Sequence, residues 1–270
     1  MAITNLPTPG HGVLVIRHGL TQWNADQRWQ GWADIPLSEL GRRQVAFAGR
    51  SLAQIFDHMP GSRHSVPTDI RIVSSDLERA SATAQAFADA LGVGHVERVE
   101  AWRERHVGDW AGLTAREITV RWPGMLDRWR NGEQVEIPGG ENETGFRERI
   151  LRALTNEVAQ AAEAQGPTIA VSHGGAIRTL ESILNIEARH VANVGGRWFH
   201  WDGATVVPGA AIDLLDQFDA PTDHYGASVR THGATSNNAT SNNATSNATS
   251  NATSNNAARI TDEQSTDFAL

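Results

Sequence analysis

Two residue types with reactive or adaptable side chains are absent from this chain: it contains neither cysteine nor lysine. The lack of cysteine excludes disulfide bonds, thiolate catalysis and cysteine-ligated metal sites. The lack of lysine makes all 23 basic residues arginines. Any cationic contact to a phosphate therefore comes from the planar guanidinium group of an arginine or from a protonated histidine.

Positive charge and long apolar runs are also scarce. The formal net charge is -8 at pH 7, which argues against nucleic acid as a partner because nucleic-acid-binding proteins carry a basic surface patch. No run approaches the roughly 20 apolar residues that span a membrane, and the N-terminus lacks the basic-then-apolar pattern of a signal peptide. We therefore expect a cytoplasmic protein without membrane or nucleic-acid partners.

The composition divides the chain into three parts. Residues 1–11 hold two prolines and a glycine without periodicity, which predicts a flexible lead. Residues 12–221 carry the patterned apolar residues of one folded domain. The composition changes from residue 222 to residue 270. Residues 234–257 repeat Ala-Thr-Ser-Asn and contain no side chain large enough to bury. Such a tail is predicted to be disordered because burial cannot offset its ordering entropy.

The apolar pattern of the domain predicts alternating strands and helices. Predicted strands lie at residues 13–16, 69–74, 95–99, 168–171, 197–201 and 210–215. Predicted helices lie at about 38–56, 76–91, 114–122, 125–131, 143–165 and 176–186, and Asp76 and Thr114 are candidate N-caps. Right-handed crossovers then give an α/β fold, a three-layer α/β/α sandwich with a mainly parallel sheet and antiparallel strands at its edge. Residues 100–142 are expected to form a helical lid insertion over the pocket.

Two predicted strands each end in a histidine followed by glycine. The first strand runs into Arg17, His18 and Gly19, and the strand at 168–171 runs into Ser172, His173 and Gly174. Ligands of open α/β sheets bind outside the carboxyl ends of the strands, where backbone amides and side chains converge. If these strands are parallel neighbours, both imidazoles face one pocket that suits an anion.

Four motifs, in order, extend this pattern: RHGLTQWN, SSDLERASATA, WRERHVGDWAGLT and VSHGGAIR. Together they resemble the histidine phosphatase superfamily, also called phosphoglycerate-mutase-like, over about residues 12–215. Within it, IVSSDLERA, ERHVGDWAGLT and GGEN look most similar to bacterial phosphatases that act on glucosyl-3-phosphoglycerate. The resemblance implies a phosphomonoester hydrolase that acts through a phosphohistidine on a small acidic or sugar phosphate.

The resemblance also implies roles for individual residues. His18 matches the nucleophile, Arg17, Arg79 and His173 match residues around the transferring phosphoryl group, and Glu104 matches the general acid and base. Four more residues match positions that contact phosphate: Asn24, Gln30, Gly31 and Gly174. Thr21 matches a position that supports the loop. We expect neither a metal ligand nor a cofactor. The expected partner is a small phosphorylated substrate, and the formation of a homodimer is left open.

Two alternative functions stay open at this point. A bisphosphoglycerate-dependent mutase would use the same phosphohistidine but needs further cations for a second anionic group. Val107 replaces a tyrosine of the mutase subgroup, and a lysine of that subgroup is missing, so hydrolysis is favoured. Arginines of the lid still suit an acidic substrate, namely Arg105, Arg116, Arg121, Arg128 and Arg130. A catalytically silent phosphate-binding module is the third hypothesis.

Overall fold

The computed structural model of the protein describes residues 12–58, 70–164, 166–187 and 189–218. All of these residues belong to one compact unit. The predicted lead at 1–11 and the predicted tail at 222–270 lie outside the described residues. Within the described part of the chain, no helix is long and apolar enough to cross a lipid bilayer.

One six-stranded sheet forms the centre of the domain. Its strands are β1 Gly12–Arg17, β2 Arg71–Ser74, β3 Val96–Arg98, β4 Thr168–Ser172, β5 Gly195–Trp201 and β6 Val206–Asp213. They lie in the order β3-β2-β4-β1-β5-β6. The first four strands in this order are parallel to one another. Strand β5 is antiparallel to its neighbour β1, and β6 is antiparallel to β5. The predicted mainly parallel sheet is confirmed. The last strand begins at Val206 rather than at residue 210, since Pro208 is tolerated on an edge strand.

Seven α-helices within the described residues connect and cover the strands. They are α1 Gln22–Ala25, α2 Glu39–Asp57, α3 Glu78–Leu91, α4 Ala115–Arg121, α5 Met125–Arg130, α6 Glu143–Ala164 and α7 Gly174–Ile183. Thr114 caps α4 as predicted, with a reciprocal hydrogen bond from Glu117. The prediction of Asp76 as a cap was wrong, because α3 begins one residue after Leu77 and the Asp76 carboxylate pairs with Arg103 instead.

Alternating side chains of the central strands build the two faces of the sandwich. Leu14 and Ile16 of β1 point into one core with α2 and α3, whereas Val13 and Val15 point into the other with α6 and α7. All four are fully buried. Because both faces of β1 are covered, its sequence is a continuous apolar run rather than an alternating one.

A third, smaller core lies within the predicted insertion and includes one residue from the loop after β1. Its buried members are Trp29, Val107, Trp110, Leu113, Ile118, Leu126 and Ile137. Trp29 stacks edge-on against Trp110, with ring centroids 5.1 Å apart. Aromatic packing of this kind supports residues 100–142 where sheet pairing is lacking. The opening or closing of this segment as a lid stays a prediction.

The start of α2 packs directly on the chain that leaves β1. The Ser38 hydroxyl caps the Gly41 amide at 3.0 Å and also donates to the Leu20 carbonyl at 3.1 Å. A Cβ atom at Gly41 would overlap that Leu20 carbonyl oxygen. Only glycine therefore lets the helix approach this loop, which follows His18 by two residues.

We expect Gly41→Ala to destabilise the protein, although an added methyl group normally favours a helix. Overpacking against the Leu20 carbonyl should lower the free energy of unfolding by about 1–3 kcal/mol. Urea unfolding measures this change. Gly145→Ala in α6 is the matched control, because a Cβ atom there meets no atom within 4 Å and should stabilise the helix by up to about 1 kcal/mol. Equal effects of the two substitutions would contradict the packing argument.

Candidate active site

The pairing of β1 with β4 brings the two predicted histidines together. Arg17 lies opposite Ser172 in the parallel register, and the His18 amide donates to the Ser172 carbonyl at 3.0 Å. The next residues, His18 and His173, leave the sheet at the same edge. Their ring centroids are 5.2 Å apart with an interplanar angle of 63°. Both side chains are buried, so they share one enclosed site.

Hydrogen bonds define the protonation state of His18. Its Nδ1 lies 2.7 Å from the Gly19 carbonyl oxygen, which can only accept, so Nδ1 carries the proton. Its Nε2 accepts a hydrogen bond from Arg79 Nε at 3.2 Å. Burial, followed by the charges of Arg79 and Arg17, lowers the pKa of His18 well below its ordinary value. His18 is thus a neutral imidazole whose Nε2 lone pair points toward a guanidinium group.

Two buried arginines are held by backbone carbonyls. Arg79 donates to the carbonyl oxygens of Gly31 and Ala33, both at 2.8 Å. Arg17 donates to the carbonyl oxygen of Val191 at 2.7 Å. Burial is the main cause that lowers the pKa of each arginine to about 10. Both therefore remain cationic at neutral pH and are fixed in place before any ligand binds.

The carboxylate of Glu104 is held at the start of α7. Its Oε2 accepts a hydrogen bond from the Gly175 amide at 2.8 Å, and its Oε1 accepts one from the Arg105 amide at 2.9 Å. A Cβ atom at position 175 would overlap the carboxylate. The second glycine of the His-Gly-Gly sequence is therefore required for Glu104 to reach the N-terminus of α7, where the helix dipole favours negative charge.

An arginine of α6 holds the backbone that carries Glu104. The Arg149 guanidinium donates to the carbonyl oxygens of Ala101 at 3.0 Å, Arg103 at 2.9 Å and Glu104 at 3.2 Å. It also binds both carboxylate oxygens of Glu141, at 2.9 and 2.7 Å. Because one planar group binds three carbonyl oxygens within four consecutive residues, Arg149 fixes the backbone that carries Glu104.

Trp32 connects the backbone of Glu104 with residues 31–33, two of whose carbonyl oxygens bind Arg79. Its indole Nε1 donates to the Glu104 carbonyl at 2.6 Å, while the neighbouring carbonyls of Gly31 and Ala33 accept from Arg79. Residues 31–33 therefore hold Glu104 and Arg79 at a set separation. Trp32 itself is 38% exposed, so it forms part of the rim of the site.

Thr21 and Asn24 lie next to the chain segment that carries His18. Thr21 caps α1 and forms a capping box with Asn24, whose Oδ1 accepts from the Thr21 amide at 3.1 Å. Asn193 links them to the site, since its Nδ2 donates to the His18 carbonyl at 2.9 Å and lies 3.5 Å from Asn24 Oδ1. The structure thus brings both predicted residues beside His18, with Thr21 holding Asn24 in place.

Gln30, Gly31 and Gly174 border the same region. Gln30 is buried, and within the described residues its Oε1 has no hydrogen-bond partner. Gly31 has a φ of +51°, and a Cβ atom there would lie 2.6 Å from Val107 Cγ2, so both conformation and space require glycine. Gly174 lies against the Arg17 side chain, which a Cβ atom would approach to 3.3 Å. These close approaches explain two of the glycines in the motifs.

The charges around the site do not balance. Arg178 lies close enough that its positive charge is the second cause, after burial, of the lowered pKa of Arg17. The carboxylate of Glu104 acts in the opposite direction on Arg17, Arg79 and Arg178. Two further carboxylates act on single arginines: the exposed Asp34 on Arg79, and Glu181, which pairs with Arg189 and Arg197, on Arg178. Glu104 is thus the one carboxylate that acts on all three arginines, and this positive region suits an anionic ligand.

Sequence reasoning missed four residues of this site: Arg149, Gly175, Arg178 and Asn193. Gly175 and Arg178 stand inside VSHGGAIR, so the motif itself contained the signal for them. Arg149 and Asn193 bind backbone carbonyls across large sequence separations, and no local pattern marks such contacts. Of the lid arginines, Arg105 is buried near Glu104, Arg116 and Arg121 are exposed, and Arg128 pairs with Glu133 on the surface.

No group of three or more metal-ligating side chains occurs in the part of the chain that the structure describes. The candidate site is therefore built from imidazoles, guanidinium groups, a carboxylate and backbone amides. Fixed donors of this kind suit a tetrahedral anion.

Comparison with known proteins decides the family. The model of the histidine phosphatase superfamily (branch 1) matches residues 13–196, a range that begins in β1 and ends in β5. The chain belongs to this superfamily. The matched range contains both histidines, Arg17, Arg79 and Glu104.

Several relatives of this histidine phosphatase carry functional names. A glucosyl-3-phosphoglycerate phosphatase of Mycolicibacterium vanbaalenii is 34% identical over 220 residues, which cover 77% of this chain and 92% of the relative. A 2,3-bisphosphoglycerate-dependent phosphoglycerate mutase of Sinorhizobium fredii is 28% identical over 176 residues, 64% of this chain and 79% of the mutase. The solved structure of a mycobacterial glucosyl-3-phosphoglycerate phosphatase with VO3 superposes with a TM-score of 0.60 and 30% identity, covering 73% and 96% of the two chains.

The buried histidines of this phosphatase predict that its stability falls in mild acid. Burial lowers the pKa of both His18 and His173 well below 6.5, so below that pH the unfolded chain binds more protons than the native state. The free energy of unfolding should therefore decrease as the pH falls below 6.5, by up to about 1.4 kcal/mol per pH unit for each histidine. Urea unfolding at about pH 7.5 and about pH 5.5 measures the decrease.

The double variant His18→Gln and His173→Gln provides the reference for this measurement. It removes both groups while the carboxylates of the protein titrate as before, so the difference from the wild type isolates the two histidines. Identical pH dependence in the wild type and the variant would contradict the lowered pKa values.

Proposed function

We propose that the chain is a phosphomonoester hydrolase in which His18 Nε2 is the nucleophile. One observation carries this proposal: the Nδ1 proton of His18 is committed to the Gly19 carbonyl at 2.7 Å. The lone pair is consequently on Nε2, as nucleophilic attack on phosphorus requires. The lowered pKa keeps this imidazole unprotonated at neutral pH.

Arg17, Arg79 and His173 are proposed to surround the phosphoryl group during its transfer. Arg79 Nε already donates to His18 Nε2 at 3.2 Å, so a phosphate oxygen that accepts from Arg79 instead would bring phosphorus next to the nucleophile. In transfer, negative charge spreads over the equatorial oxygens, and cationic donors held in place stabilise it without reorganisation. The side chain of His173 has both ring nitrogens without hydrogen-bond partners among the described residues, and it can bind one of these oxygens.

Glu104 is proposed to act first as an acid and then as a base. In the first step the His18 Nε2–P bond forms while the P–O bond to the leaving group breaks, and the Glu104 carboxyl gives its proton to the leaving oxygen. In the second step the Glu104 carboxylate takes a proton from water, whose oxygen attacks phosphorus and breaks the N–P bond. His18 and protonated Glu104 are then restored and inorganic phosphate is released.

Hydrolysis is favoured over phosphoglycerate mutase activity by the surroundings of Val107. Its side chain is 2% exposed and packs into the third core, so it offers no polar contact where the mutase subgroup has a tyrosine. Glucosyl-3-phosphoglycerate is the proposed substrate, since two of the compared proteins are named as its phosphatase. We place the enzyme in the cytoplasm, with this small substrate rather than nucleic acid as its partner, in agreement with the net charge of -8.

The phosphoenzyme tests the proposed function directly. Rapid acid-free quenching with a phosphorus-32-labelled phosphomonoester should trap a base-stable, acid-labile phosphohistidine on the wild type. His18→Ala should remove this adduct and lower kcat by at least about 10⁴-fold, because the proposed nucleophile is lost. His58→Ala, on the exposed end of α2, is the matched control and should retain both adduct and turnover.

Two other outcomes would select the alternatives. An isomerised product that depends on added 2,3-bisphosphoglycerate would indicate a mutase rather than a hydrolase. A wild-type protein that releases no nitrophenol from p-nitrophenyl phosphate would indicate a silent binding module.

The role of Glu104 predicts a dependence on the leaving group. Glu104→Gln should slow alkyl phosphates by about 10²–10⁴-fold, but p-nitrophenyl phosphate much less in the phosphorylation step, because nitrophenolate leaves without a proton. Pre-steady-state measurement of that step separates it from hydrolysis of the phosphohistidine. Arg149→Met should show the same selectivity at smaller magnitude, since it releases the backbone of Glu104. Equal slowing of both substrates by Glu104→Gln would exclude the acid role.

A further inference from the structure

A cavity of about 210 Å³ lies next to the proposed acid. We name it the leaving-group pocket. Its lining includes the charged residues Glu104, Arg105, Arg147 and Arg178 and the aromatic residues Trp29, Trp129 and Phe146. Since Glu104 borders the cavity, a group whose oxygen receives the Glu104 proton would extend into it.

Arg178 is a cation without a counterion in the described part of the chain. Its guanidinium forms neither a hydrogen bond nor an ion pair there, although burial lowers its pKa. The nearest carboxylates are occupied elsewhere, because Glu104 accepts from two backbone amides and Glu181 pairs with Arg189 and Arg197 at 2.9 and 2.8 Å. Buried cations are normally paired, so this guanidinium is available to an anionic group of a ligand.

Arg105 differs from Arg178 in this respect. Its Nε donates to the Glu141 carbonyl at 3.2 Å, and its Nη1 lies 3.7 Å from the Glu143 carboxylate. It is therefore held at the wall of the pocket by groups of the protein. Arg147 also lines the pocket, and its Nη1 donates to the Ser182 hydroxyl at 3.4 Å. Of the three arginines in the lining, Arg178 is therefore the one that keeps all of its donors for a ligand, and a planar guanidinium binds a carboxylate with two parallel hydrogen bonds.

The aromatic and hydroxyl-bearing residues of the pocket suit a carbohydrate. Trp129 is partly exposed and packs edge-on against the buried Trp29, with ring centroids 5.0 Å apart. Trp129 also lines the cavity, as do the hydroxyl-bearing side chains of Thr179 and Ser182. An aromatic ring flanked by hydroxyl groups can bind the apolar face of a sugar ring and its hydroxyls together.

We infer that the leaving-group pocket selects phosphate esters whose leaving group carries a carboxylate, which Arg178 binds, and a sugar ring, which packs on Trp129. This inference rests on the proposed function and specifies its substrate. It makes Arg178 and Trp129 specificity-determining residues, one for each part of the leaving group.

A matched pair of substrates tests the Arg178 contact. 3-Phosphoglycerate and glycerol 3-phosphate differ only by a carboxylate in place of a hydroxymethyl group. The wild type should prefer the acid in kcat/KM by about 10- to 100-fold, the effect of one charge-assisted pair. Arg178→Gln should reduce this preference to about 1, and Arg178→Lys should restore part of it because the charge returns without the planar fork.

The preference is a ratio within one preparation, so partial misfolding of a variant does not alter it. Arg116→Gln is the control, since it removes one charge from the exposed face of α4 and should keep the wild-type ratio. An unchanged preference in Arg178→Gln, with both substrates hydrolysed, would overturn the pocket inference and leave the hydrolase intact. Hydrolysis of neither substrate by the wild type would instead count against the proposed function.

A second pair of substrates tests Trp129. Trp129→Ala should lower kcat/KM for glucosyl-3-phosphoglycerate by about tenfold relative to that for 3-phosphoglycerate, because only the former places a sugar on the ring. Trp201→Ala is the control, as Trp201 is 43% exposed at the end of β5 and outside the pocket. Equal losses for both substrates in Trp129→Ala would overturn the assignment of the sugar site.

Discussion

The parallel pairing of β1 with β4 is the constraint on which the rest of the site depends. It places Arg17 opposite Ser172, so that the residues after them, His18 and His173, meet at one edge with ring centroids 5.2 Å apart. A slip of one residue would turn every side chain of a strand to the other face. Both faces of β1 are filled by large cores, and this burial therefore holds the register that the chemistry requires.

An excess of positive charge follows from that convergence. Arg17 and Arg79 are buried at the same edge and are held by carbonyl oxygens, which accept hydrogen bonds but carry no full charge. With Arg178 nearby, Glu104 is the one carboxylate that acts on all three guanidinium groups. This positive region supports the proposal that a phosphate dianion binds here. Burial is the first cause that lowers the pKa of both histidines, and the charge of Arg79 acts in the same direction.

Much of this arrangement could be predicted from the sequence because it is local. The strands are short apolar runs, and His18 and His173 follow them directly. Other parts were not predictable in that way. Asp76 looked like a helix cap but pairs with Arg103 across 27 residues, and Arg149 reaches carbonyls 46 and 48 residues away. Such contacts form only once the sheet has assembled, because the fold and not the local sequence brings the two partners together.

Helix α7 links the phosphate to the leaving group. His173 is its N-cap, and Arg178 follows five residues later, which corresponds to about 7–8 Å along the helix axis. The Gly175 amide between them holds Glu104. The proposed phosphoryl contact and the proposed anion contact thus lie on one helix, and the proposed acid is bound between them, so their separations cannot adjust independently. A leaving group fits when its carboxylate lies at the matching distance from the ester oxygen, and this geometric condition selects substrates without altering the reacting groups.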